Sequence, residues 1–68
     1  MTVGAKVKQT LATLKGVEST LRVYSLQSSN EDEKEVYRSA LNTTKEVIKD
    51  LENRLKVLEY EEPQYKGN

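Results

Sequence analysis

The chain has 68 residues, with 11 Lys and Arg against 11 Asp and Glu, so no whole-chain field steers it toward nucleic acid or an anionic membrane. It contains neither cysteine nor histidine, which excludes disulfides, thiolate nucleophiles, imidazole acid–base chemistry, and zinc or haem ligation through those side chains. Leu, Ile, Val and Phe make up 16 of the 68 residues, about 24 % and just above the roughly 20 % below which chains stay disordered, so a fold with a small core is expected.

The opening, Met1 to Lys6, lacks the apolar stretch of a signal peptide, and Thr2 stands where myristoylation needs glycine. No apolar run exceeds two residues, so no transmembrane segment is expected and a cytoplasmic protein is the default. The spacing of Val3, Val7, Leu11, Leu14, Val17, Leu21 and Tyr24 predicts a first helix over about 3–26, with Thr2 as its N-cap. Gly16 falls inside it, as a close backbone approach, a bend, or a tolerated weak spot costing about 1 kcal/mol relative to Ala.

Residues 27–30, Gln-Ser-Ser-Asn, read as a turn. Asn30 followed by Glu33 fits a capping box opening a second helix, about 31–61, and Glu31, Asp32, Glu33 and Glu35 suit the positive end of its dipole. Tyr37, Leu41, Thr44, Ile48, Leu51, Leu55 and Leu58 alternate spacings of four and three, the pattern of a packed seam. Val36, Ala40 and Val47 widen it toward a bundle helix. Pro63 stops the helix and leaves 63–68 as a loose tail.

So short a connection implies an all-α antiparallel hairpin over 1–62, with a continuous helix that swaps its second half between chains as the alternative. Residues 1–30 carry +3 and residues 31–68 carry −3, and Lys8, Lys15 and Arg22 recur every seven residues beside the first stripe, placed to face the acidic half. A chain this small gains only about 3–5 kcal/mol from one core. Dimerisation into a four-helix bundle is therefore expected, with Val7, Leu11, Leu14, Leu21, Leu41, Ile48, Leu51, Leu55 and Leu58 as the packing and dimer seam.

Catalytic chemistry finds no support. Ser25, Ser28 and Ser29 have only lysine or carboxylate as a base, the three glycines are scattered, and the acidic clusters 31–33 and 59–62 lack the spacing of a calcium loop or a Glu-x-x-His pair. No enzyme activity, cofactor, metal site or nucleic-acid partner is expected. The Lys8, Lys15 and Arg22 row could instead meet anionic lipid, as a peripheral membrane binder. Thr44, mid-seam, is the sole hint of a polar cavity for a small molecule or ion. Tyr65 and Lys66, in the tail, are candidate partner contacts, through docking on the bundle or capture of another protein.

Two segments, Thr2-Val3-Gly4-Ala5-Lys6-Val7-Lys8-Gln9-Thr10-Leu11-Ala12 and Glu61-Glu62-Pro63-Gln64-Tyr65-Lys66-Gly67, resemble domain-of-unknown-function family 1657, short proteins of spore-forming Firmicutes. The similarity extends over nearly the whole chain, with the two ends the more specific parts and the middle only helical in character. Family members are commonly encoded near stage V sporulation genes, whose products move dipicolinic acid into the spore, and some are fused to a spore membrane protein. The resemblance thus implies a sporulation setting, a spore membrane or coat protein as partner, and a cytoplasmic or spore-associated location. It implies no reaction and no functional residue.

Overall fold

A computed structural model describes residues 2–61, and the expected tail with Pro63, Tyr65 and Lys66 lies outside the described residues. Two helices, α1 (Val3–Gln27) and α2 (Glu31–Glu61), pack against each other as an antiparallel hairpin. The described chain is a rod, 48 × 16 × 11 Å. Its radius of gyration of 15.2 Å exceeds the roughly 11 Å of a compact domain of this length.

Local chemistry accounts for each helix end. Thr2 is extended (φ −75°, ψ 164°) and its hydroxyl accepts from the Ala5 N–H at 3.0 Å, satisfying one of the free donors of the first turn. At the other end the Ser28 N–H donates to the Tyr24 carbonyl at 3.0 Å, and Ser28 turns extended to leave the helix. Asn30 Oδ1 then accepts from the N–H groups of Asp32 (2.8 Å) and Glu33 (3.2 Å), which starts α2.

The expected capping box is only half made. Glu33 Oε2 accepts from the Ser28 hydroxyl at 3.0 Å, so that carboxylate ties the turn together across the helix start and no bond to the Asn30 N–H is formed among the described residues. Asn30→Ala should therefore cost about 1 kcal/mol, read as a lowered midpoint in urea unfolding, because two backbone donors lose their acceptor.

Gly16 serves no close approach within the hairpin. A Cβ placed on it meets nothing within 4 Å, and the helix continues unbroken through it. The weak-spot reading holds, and Gly16→Ala should raise stability by about 1 kcal/mol in the same titration. A loss of stability there would reveal a contact that the hairpin does not contain.

The core is very small. Among the described residues only Leu11 and Ile48 are buried large apolar side chains, each 6 % exposed. Complete burial of such side chains contributes about 1.5–3 kcal/mol each, so one hairpin stands close to the margin of stability. Val7, Leu14, Leu21, Leu41, Leu51, Leu55 and Leu58 are half-buried, as two helices side by side can cover only part of each stripe.

Candidate interaction surfaces

On α2 the residues turned toward α1 are Tyr37, Leu41, Thr44, Ile48, Leu51, Leu55 and Leu58, the spacing read from the sequence. On α1 the seam departs from the helical stripe read in the sequence at three positions. Val3 (49 % exposed), Val17 (42 %) and Tyr24 (49 %) do not enter the seam. The residue after each does, so Gly4 is buried and Glu18 and Ser25 are half-buried. The seam of α1 thus runs through Gly4, Val7, Leu11, Leu14, Glu18, Leu21 and Ser25, a strict heptad column pair. Hydrophobicity alone followed the wider stripe. Part of that stripe lies outside the intramolecular contact.

The same holds on α2, where Val36 and Val47 stay exposed while Ala40 is half-buried. Near the turn the Tyr24 and Tyr37 rings meet with centroids 5.8 Å apart at 54°, a tilted pair worth about 0.5–1.5 kcal/mol beyond its area. Both rings sit at the border of the seam.

The two flat faces of the hairpin differ in chemistry. Lys8 pairs with Glu59 and Lys15 with Glu52, each at 3.4 Å, so a step of seven along α1 is matched by a step of seven back along α2. Continuing the same step of seven would set Arg22 level with Lys45, a second cation. Arg22 accordingly turns to Glu18 of its own helix at 3.1 Å. Two of the three row cations bridge the helices and the third does not. These pairs are part-exposed and contribute about 0–1 kcal/mol each, setting register more than stability.

Lys49 and Lys56 complete this face, and with Leu11, Ala12 and Leu55 they line an open groove of about 630 Å³. Lys45, Lys49 and Lys56 have no ion-pair partner among the described residues. The face is cationic although the whole chain is neutral.

The heptad places Val3, Val17 and Tyr24 on the other side of the α1 seam, and Val47 on the matching side of α2. Around them lie Thr10, Thr13, Thr20 and Thr43, whose side chains carry no charge. The Thr13 and Thr20 hydroxyls donate back to the carbonyls of Gln9 and Gly16. The Asp50–Arg54 pair, at 2.9 Å, is internal to α2.

Other candidate chemistry finds no geometry. Thr44 donates to the Ala40 carbonyl at 2.8 Å, so its hydroxyl proton is used within its own helix. Glu31 pairs with Lys34 at 3.7 Å, and the acidic first turn of α2 stands at the positive end of its dipole. Among the described residues no group of three acidic side chains converges as a metal site, and no helix is long and apolar enough to cross a membrane.

No curated protein and no solved structure matches the chain. The family described as "Protein of unknown function (DUF1657)" matches over residues 7–55. That range holds most of both helices and the whole turn, and stops short of the closing segment that suggested the resemblance. The middle, which composition and spacing read only as helical, thus carries the family pattern. With more than two thirds of its length matched, the chain belongs to the DUF1657 family.

Proposed function

We propose that this protein is a non-enzymatic helical interaction module that works as a homodimer, two hairpins forming a four-helix bundle. One observation carries the reading: a hairpin with two buried apolar residues leaves Val3, Val17, Tyr24 and Val47 exposed on one face. A second hairpin covers such a face with no further helix to order, because both helices are already formed within each chain, so the covered apolar area has to offset only the cost of association itself. The family resemblance supplies the setting, sporulation, with a spore membrane or coat protein as partner and a cytoplasmic or spore-associated location. Tyr65 and Lys66 are the proposed contacts of the tail with that partner.

Thermal unfolding at several protein concentrations tests the dimer. A dimer that dissociates as it unfolds melts higher at higher concentration, whereas a melting temperature independent of concentration contradicts it. A chain ending at Glu62 tests the tail, since it should keep the helical signal and lose the partner.

The second reading, a peripheral binder of anionic lipid through Lys8, Lys15 and Arg22, is weakened by the carboxylate each of those cations holds. Flotation with anionic vesicles separates the two, because only the lipid reading requires binding that fades as salt rises.

A further inference from the structure

We infer that the second copy docks on the face carrying Val17, Val47 and Tyr24, and that the lysine face is left outward on both sides of the bundle. The inference rests on the dimer reading and adds which surface is used.

Charge excludes one face. Lys8, Lys15, Lys49 and Lys56 flank the groove with only Glu52 and Glu59 to offset them, so two copies brought together there place like charges opposite each other. The opposite face meets itself without that cost. Its middle is formed by Val17 and Val47, each 42 % exposed, among threonines, and its nearest ion pair, Asp50–Arg54, is already closed within α2.

Size agrees. The hairpin presents a face 48 Å long and 16 Å wide, about 770 Å² in projection. Stable interfaces bury about 800 Å² per partner. A twofold pairing of whole faces reaches that area, whereas an end-to-end contact of a rod 16 × 11 Å in section does not. Val17 and Val47 both lie near mid-length, where a twofold axis through the centre of the face would bring each close to its own copy.

A chain without cysteine allows a clean test. Val17→Cys, Val47→Cys and Lys49→Cys are made singly, treated with a short bismaleimide, and run on a denaturing gel beside a light-scattering measurement of the untreated chains. The expected result is a dimeric mass for all three, with most of the Val17→Cys or Val47→Cys chain moving to the doubled band and Lys49→Cys staying at the single one. A dimer that links through Lys49→Cys, or through neither valine site, overturns the choice of face and leaves the dimer reading standing. A monomeric mass overturns both.

Discussion

Replacing Ile48 with alanine is expected to abolish the cooperative unfolding transition at concentrations where the parent still shows one. Ile48 is one of two buried apolar side chains among the described residues, and an isoleucine-to-alanine change in a packed site costs about 2–5 kcal/mol. The whole core of a chain this size supplies only about 3–5 kcal/mol. The loss therefore approaches the total, and far-UV circular dichroism should show a weak, sloping melt. Ile48→Val, which removes one methyl group, should cost about 0.5–1.5 kcal/mol and keep the transition. Tyr60→Ala is the control at an 87 % exposed position of the same helix and should change little.

The second large effect concerns assembly. Val17→Glu combined with Val47→Glu places four carboxylates at the centre of the proposed dimer. Each loses water there without gaining a partner, a cost of several kcal/mol per buried charge, so dimer affinity should fall at least about a hundredfold, roughly 2.7 kcal/mol. Both positions are well exposed in the single hairpin, so the substitutions cost that hairpin itself little. Sedimentation equilibrium should then give the single-chain mass where the parent gives the doubled one. Lys45→Glu on the opposite face should leave the mass unchanged.

The helices were legible because their signals are local. Asn30 caps α2 through its own side chain, Thr2 caps α1, and the alternating spacing from Tyr37 to Leu58 describes one face of one helix whatever it packs on. The Lys8 and Lys15 pairs were legible for a similar reason, since a seven-residue repeat beside a seam has to meet the edge of the neighbouring helix. Arg22 shows the limit. Its partner depended on the register between helices, and that register, continued, would set it level with Lys45.

The seam of α1 was harder to read. Val3, Val17 and Tyr24 are more apolar than Gly4, Glu18 and Ser25, and a spacing near 3.5 residues fits either column. Only packing against α2 separates them. It puts small or half-buried polar residues inside, leaves Val3 and Val17 out, and holds Tyr24 at the border against Tyr37. In a single chain this looks like a conflict between pattern and fold. It resolves if the apolar stripe serves two contacts, one with α2 and one with a second copy.

The measurement that reaches the central claim most directly is the solution mass by light scattering over a hundredfold dilution. A dimer gives twice 7.8 kDa, falling toward the single-chain mass only at the lowest concentrations. A mass of 7.8 kDa at every concentration would contradict it, since the valine face would then stay open to water.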